Sequence, residues 1–417
     1  MSTAGDKERY FKVGPVDVAY AGKRTSVMIG PVRHRGPEYT DAAFRQLAKR
    51  GPSARIGLQP SSSTNKWLFA PSRWGTVSVI DACPFGEMLT KFESFVAQAS
   101  NQPAPVAVTY CGDYVMLSFD HGIGDATACL ELTAVASGAD ITEYSVPNTR
   151  QPLRSALAKT FSDSPRSFVE VLRGGAQPAA LPTRPYPRPD SSDIVMTYAR
   201  TGPEFLATVK EMRKKHFPKT SVTAAVIYAL RSAFEAHGQG ITDDLSVLVD
   251  LRRFLGEGQS TLANLSAVVD LSVPPSADIN DFGAQFSAAV NGATPLVKLA
   301  GSVAKRRIRG WSESTAVQEE WPEMTRLTFS DPTKHPSIQK IRWDDDSDHP
   351  LAYVLINDPT LPHQITITAM CDRQQCFQFT ASYFSGSYTR AEIDHIINSV
   401  VEDPSPYFSP ALTSGVW

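Results

Sequence analysis

Residues 114–136 read YVMLSFDHGIGDATACLELTAVA. Tyr114 to Phe119 is a dense apolar run, paired by pattern with Val106 to Tyr110 across Gly112-Asp113, a turn suited to a hairpin. Ala126 to Ala136 has a helical pattern, and Asp125 stands where an N-cap belongs. The loop from Asp120 to Asp125 therefore joins a strand to a helix. It puts the His121 imidazole at a strand end beside a helix N-terminus, a position from which it can face a cleft. Histidine is the side chain whose ordinary pKa lies nearest neutrality, which suits it to take a proton from an attacking hydroxyl or amine. With eight histidines in the chain, His-x-x-x-Asp also arises by chance, and capping alone would account for Asp125. The rest of the chain has to decide.

Upstream of the loop, Thr40 to Arg50 reads as an amphipathic helix, Arg55 to Gln59 (RIGLQ) as a strand, and Phe85 to Ala99 as a second helix. Downstream, Gly174 to Asp193 (GGAQPAALPTRPYPRPDSSD) contains five prolines, which neither propagate a helix nor fit a central strand. This stretch, 174–193, is the expected crossover linker between an N-terminal lobe, 1–173, and a C-terminal lobe, 194–417. Beyond it, strands are expected at Asp193 to Tyr198, Leu245 to Leu251, Ser266 to Leu271, Ala352 to Ile356, Gln364 to Met370 and Cys376 to Tyr383. Helices are expected at Glu204 to Lys215, at Ser221 to Ala236 with Thr220 or Ser221 as cap, and at Arg390 to Val401. Each lobe is thus a mixed α/β unit.

A chain of 417 residues exceeds one ordinary core at roughly 150 residues per domain, in line with two lobes. Hydrophobic residues at 42% and charged residues at 20% indicate a globular protein. Lys plus Arg (41) nearly balances Asp plus Glu (43), so no overall field attracts nucleic acid or an anionic membrane. The N-terminal MSTAGDKERYFKVG lacks the apolar stretch of about seven residues that a secretory signal needs, and no segment has about 18 uninterrupted apolar residues. A cytoplasmic protein is expected, with its five scattered cysteines reduced.

The loop resembles the HHxxxDG motif of the superfamily that unites condensation domains of nonribosomal peptide synthesis, polyketide-associated acyltransferases and plant-type acyltransferases. This chain has DHGIGDA, so His121 and Asp125 match while Asp120 replaces the first His and Ala126 the final Gly. The motif also falls about a third of the way along, as in that superfamily. Further similar stretches follow in order: AAFRQLAKRGPSARIGLQ, KTSVTAAVIYALRSAF, VLVDLRRFLGEGQSTLANLSAVVDL, and Thr328 to Asp331. The resemblance implies two chloramphenicol-acetyltransferase-like lobes forming a V with a central tunnel. It implies His121 as the catalytic base for transfer of an acyl group from a thioester, on coenzyme A or a phosphopantetheine carrier protein, to a small-molecule hydroxyl or amine in secondary metabolism. The thioester is then a co-substrate, and no further cofactor is called for. Asp125 is implied to pair with an Arg of the other lobe, assigned to Arg252, as a structural ion. Asn264 and Ser330 are implied near the tunnel and inter-lobe floor. A docking platform without catalysis, or a scaffold turned to other chemistry, are the competing readings.

Asp120 is the departure of most interest. A carboxylate there either raises the His121 pKa and binds a cationic acceptor or simply bonds to nearby backbone. Backbone N–H groups near Gly124 are candidates to hold the oxyanion. Lys298, Lys305, Arg306, Arg307 and Arg309 read first as a solvated helix face and second as a site for phosphates or an acidic carrier protein. Cys371 and Cys376 lack the further ligands of a zinc site and read as thiols flanking a hairpin. The acidic Trp343 to Asp348 segment lacks EF-hand spacing and reads as a solvated loop, so no metal is expected. GxSxG, P-loop and complete dinucleotide patterns are missing from the sequence.

Overall fold

The computed structural model describes residues 8–102, 104–145, 147–149, 151–162, 183–187, 193–274, 277–309 and 318–408. The chain opens with β1 (Arg9–Lys12), α1 (Pro15–Tyr20), β2 (Arg24–Gly30), α2 (Pro37–Lys49), β3 (Leu58–Gln59), β4 (Lys66–Phe69) and β5 (Thr76–Ile80). Then come α3 (Phe85–Ser100), β6 (Val106–Cys111), β7 (Tyr114–Asp120), α4 (Ala126–Ala136), α5 (Pro152–Phe161) and β8 (Thr183–Pro187). The second half runs β9 (Ile194–Arg200), α6 (Pro203–His216), α7 (Val222–Ala236), β10 (Asp244–Asp250), β11 (Ser266–Ser272), α8 (Ile279–Asn291) and α9 (Thr294–Arg309). It finishes with β12 (Gln318–Pro322), β13 (Arg326–Ser330), β14 (Ala352–Asn357), β15 (Gln364–Cys371), β16 (Phe377–Phe384) and α10 (Arg390–Glu402).

Among the described residues two large sheets dominate. One has the order β14-β2-β7-β6-β5, antiparallel except for β5 against β6. The other has the order β11-β10-β13-β15-β16-β9, with β13 parallel to both of its neighbours. Both β2 and β7 are buried almost throughout, which is why β7 reads as a continuous apolar run rather than an alternating one, while β2 buries Arg24, Thr25 and Ser26 at one end. Helix α4 is equally enclosed: every residue from Thr127 to Ala136 is buried. A helix apolar on all sides needs cover on all sides, and α4 receives it from β2, β7, α2 and the turn at Pro336–Lys340.

The element limits expected from sequence mostly hold within a residue or two, with α4 at the expected Ala126–Ala136 and Ser221 capping α7 through the Ala224 N–H. Two expectations need correction. The strand expected at Arg55 to Gln59 shrinks to Leu58–Gln59, because Arg55 ends a short 3-10 turn in a left-handed conformation (φ 70°) that no strand residue adopts. Within the Pro-rich stretch, Thr183–Pro187 forms a two-stranded ribbon with Gln318–Pro322, while most of 174–193 lies outside the described residues.

Strand β14 departs from the order of the chain. It follows β13 in sequence yet hydrogen-bonds along β2, with Tyr353 opposite Ile29 and Asn357 opposite Thr25. Its free edge is not left bare: Gln378 of β16 accepts from the Tyr353 N–H at 2.6 Å. An edge covered in this way cannot recruit another strand, and the contact ties the two sheets together. An apolar seam reinforces the join, with Met28, Met116, Met88 and Phe92 packed with Ile194, Met196 and Phe384. Each such side chain contributes about 1.5–3 kcal/mol on full burial.

Candidate active site

The loop from Asp120 to Asp125 is held at nearly every polar group. Asp120 turns its carboxylate onto backbone, accepting from Gly122 N–H (2.8 Å) and Gly22 N–H (2.9 Å). The His121 N–H donates to the Lys23 carbonyl at 2.7 Å. Three successive loop carbonyls are taken by two side chains: Asn264 Nδ2 donates to His121 O (2.9 Å), and Arg55 donates to Gly122 O (2.9 Å) and Ile123 O (2.5 Å). Asp17 joins those two clamps. Its Oδ1 lies 3.0 Å from Arg55 Nη2 and accepts from both N–H groups of Asn264. Asp17 and Arg55 are both buried, so each partner neutralises a charge that would otherwise be stranded.

Crowding explains the glycines. A Cβ at Gly122 would stand 2.8 Å from the Trp67 ring and 3.0 Å from Ala21 Cα; at Gly124 it would stand 2.3 Å from the Leu262 carbonyl and 2.4 Å from Ala128 Cβ. The Gly124 contact reaches across to a residue of the second half of the chain, so the loop is wedged from both sides. No oxyanion position is defined at Gly124, which packs on that carbonyl and does not line the cavity described below.

Asp125 caps α4 through the Thr127 N–H and meets Arg252 fork to fork, Nη2 to Oδ1 at 2.8 Å and Nη1 to Oδ2 at 3.0 Å. Leu265 N–H completes the carboxylate. Arg252 in turn donates to the Thr261 and Ala263 carbonyls and to Asp250. The Arg252 guanidinium and these hydrogen bonds outweigh burial and hold the Asp125 carboxyl below its usual range.

The His121 side chain lies on the other face of the loop. Its ring stacks on Tyr20, centroids 4.4 Å apart and planes 16° apart, and Lys23 Nζ sits 5.5 Å from the Tyr20 ring centre. Burial pushes the imidazole pKa down, opposed by its own backbone carbonyl, Asp125 and Asn264. Nδ1 is enclosed and makes no hydrogen bond among the described residues. The ring borders a cavity of about 240 Å³. Tyr20, Lys23, Arg24, His121 and Asn357 contribute from one sheet's side, Leu248, Val268, Arg326 and Thr328 from the other, and Asp358 and Leu361 from the connection between β14 and β15.

Of the residues singled out from sequence, only His121 lines this cavity. Asp120 is committed to backbone amides, Asp125 and Arg252 to each other, and Asn264 to the loop carbonyls and Asp17. Ser330 ends β13 opposite Thr368, away from the cavity lining, whereas Thr328 of the same strand borders it. Lys298 and Lys305 are exposed on α9, and the side chains of Arg306, Arg307 and Arg309 lie outside the described residues. In the acidic segment, Asp344 and Asp346 pair with Arg33, and Asp345 with Arg373. Cys371 and Cys376 are free thiols at the β15–β16 hairpin.

Sequence reading missed Asp17, Arg55, Tyr20, Arg24 and Asp358. Asp358 is the most consequential of these. Its Oδ2 accepts from Arg24 N–H at 2.9 Å, and burial pushes its carboxyl up to about 6 despite Arg24 and Lys23 nearby. Burial likewise raises Asp120 to about 6. An Asp at the end of an apolar strand run, LAYVLIND, was the signal available for Asp358.

No family model matches the sequence, and no curated protein matches it. Solved structures do match in fold. The chain is similar to the TRI3 trichothecene 15-O-acetyltransferase from Fusarium sporotrichioides, with a TM-score of 0.62 at 12% identity over 98% of this chain and 96% of that one. It is similar to the condensation domain of the monacolin K polyketide synthase, with a TM-score of 0.61 at 13% identity over 97% and 98% of the two chains. The epimerization domain from the third module of tyrocidine synthetase B gives 0.58 at 12% identity over 99% and 100%. The mixed α/β fold is therefore similar to that of these acetyltransferase, condensation-domain and epimerization-domain structures. At such identities the likeness defines architecture, and chemistry has to be argued from the site.

Proposed function

We infer that this protein is an acyltransferase that moves an acyl group from a thioester to a hydroxyl or amine acceptor, with His121 as general base. The observation that carries this reading is a single imidazole, clamped by backbone and ring stacking, bordering a cavity between the two sheets. The donor is acyl-coenzyme A or an acyl chain on a carrier protein, and the setting is secondary metabolism. The lobes, 1–173 and 194–417 joined by 174–193, form a V whose tunnel admits donor and acceptor from opposite faces, with β14 crossing over to brace it.

With Nδ1 enclosed, Nε2 is the nitrogen that meets the acceptor. The lowered pKa keeps the ring neutral near pH 7, so its lone pair is available. Acceptor oxygen or nitrogen attacks the thioester carbonyl as Nε2 takes its proton. Collapse of the tetrahedral intermediate breaks the carbon–sulfur bond, and the imidazolium returns that proton to the leaving thiolate. No acyl-enzyme forms. Asp125 serves the fold rather than the proton transfer, because both its oxygens are occupied.

A docking platform is less well supported, since such a role has no use for an open cavity at His121. Mass spectrometry of the protein incubated with acyl-coenzyme A or acylated carrier protein and a panel of alcohols and amines tests the proposal. Acyl transfer to a panel member is the expected result. Hydrolysis alone, or no consumption of any thioester, would refute it.

A further inference from the structure

Two carboxylates flank β2 near His121, Asp120 at the end of β7 and Asp358 just after β14, and they differ in what is left over. Asp120 accepts a backbone N–H on each oxygen. Asp358 accepts one, from Arg24, on Oδ2. Its Oδ1 receives no hydrogen bond among the described residues and is not one of the enclosed, unpartnered atoms, while the residue itself lines the cavity. Oδ1 is therefore the oxygen with hydrogen-bonding capacity to spare on a residue that lines the space His121 borders.

Register fixes the separation. Arg24 pairs with Asp120 on one side and its N–H meets Asp358 on the other, so Asp358 is level with Asp120, the residue before His121, with β2 between them. Two strand spacings amount to about 10 Å. That span accommodates a small molecule reaching from one residue to the other. The charges around it decide what its far end carries. Lys23 and Arg24 border the same cavity, Arg24 donating from its guanidinium to Ser118 and the Ala104 carbonyl, and Arg326 borders it paired with Asp270. With Asp120 beside Arg24 as well, two cations face two carboxylates, so the region favours neither a cation nor an anion and a neutral hydrogen-bond donor suits it.

The geometry points to Asp358 as the residue that selects the acceptor, by accepting a hydrogen bond from a second, neutral hydroxyl distant from the one presented to His121. The inference rests on the acyltransferase reading for the word acceptor, and on the cavity alone for the binding. It assigns the substrate class as a molecule with at least two hydroxyls, or one hydroxyl and one amine. The charged and titratable groups around Asp358 are Lys23, Arg24, Asp120 across β2, His121 with Tyr20 behind it, and Arg326 on the opposite sheet. Its raised carboxyl pKa, about 6, adds a signature: the oxygen ceases to be a charged acceptor as the pH falls through that value.

Ligand-observed NMR with the full chain decides the matter, using 1,6-hexanediol and 6-methoxy-1-hexanol as matched probes. The methoxy oxygen cannot donate, so it confronts Asp358 Oδ1 acceptor to acceptor. Asp358→Asn keeps an oxygen for the Arg24 N–H and turns an amide N–H toward the cavity, which preserves the fold while inverting the polarity. The ratio of the two dissociation constants is expected to favour the diol by about tenfold more in wild type than in Asp358→Asn, the scale of a hydrogen bond to a charged group. That excess should fade between pH 7.5 and pH 5 in wild type only. An equal ratio in both proteins, or no detectable binding of either probe, overturns the inference. Because no acyl transfer is involved, failure of turnover with every thioester would refute the enzymatic reading and leave this binding result to stand by itself.

Discussion

Asp125 and Asp358 are both carboxylates placed beside an Arg near the same histidine, and they are used in opposite ways. Asp125 has a bidentate Arg252, a backbone N–H on each oxygen and no share of the cavity. The Asp358 carboxylate meets Arg24 through the backbone N–H on Oδ2, its Oδ1 has no hydrogen bond among the described residues, and the residue lines the cavity. The difference separates a group that holds the halves of the molecule in register from one available to a ligand. It also explains the opposite pKa directions, since Arg252 outweighs burial at Asp125 and nothing does at Asp358.

The comparison breaks most visibly at the saturated end. Arg252→Ala leaves Asp125 buried without its partner and is expected to destabilise by about 3–5 kcal/mol in urea unfolding. Any loss of activity should track that loss of fold and recover when the variant is stabilised. A variant of wild-type stability would mean that the pair does not hold the two halves of the chain together. Gly124→Ala comes next: its Cβ meets a backbone carbonyl and another Cβ, neither of which moves easily, so about 1–3 kcal/mol is expected by the same measurement.

At the open end the expected effect is smaller and depends on pH. The Asp358 carboxyl lies near 6 in the folded protein, above the ordinary carboxylate value near 3.9. The native state therefore holds more protons than the unfolded chain between those values, and stability falls as pH rises through that window. Asp358→Asn removes this dependence, so its stability relative to wild type should rise by up to about 2 kcal/mol between pH 4 and pH 7. Parallel pH curves for the two proteins would sink the assignment. Smallest is Tyr20→Leu, which removes the ring stacked on His121 at about 0.5–1.5 kcal/mol. Its informative readout is the acid limb of the pH–rate profile, expected to move as the imidazole loses its enclosure; an unmoved limb with unchanged rate would show that the stack does not position the ring.

Legibility in sequence followed the range of the interactions. Helix α4 was readable because its cap, Asp125, and its apolar run are adjacent, and the β6–β7 hairpin because Gly112-Asp113 lies between the two runs. Asn264 to Asp17 spans 247 positions and Arg24 to Asp358 spans 334, and no local pattern encodes either. Strand β14 looked like any apolar strand, since its composition carries no mark of which sheet it joins. Arg55 looked like a strand residue because Ile56 and Leu58 beside it are apolar, whereas its backbone is bent so that the guanidinium reaches the loop carbonyls. The loop from Asp120 to Asp125 could be located from its own residues. What holds it could not.

The most direct test of the account is single-turnover acyl transfer by wild type and His121→Ala, each verified as folded by thermal unfolding, with the donor and acceptor identified by mass spectrometry. Loss of a positioned general base predicts a rate lower by about 10²–10⁴-fold, with stability reduced by about 0.5–1.5 kcal/mol for the lost Tyr20 stack, since the His121 Nδ1 makes no hydrogen bond among the described residues. Transfer at the wild-type rate by a folded His121→Ala protein would contradict the account.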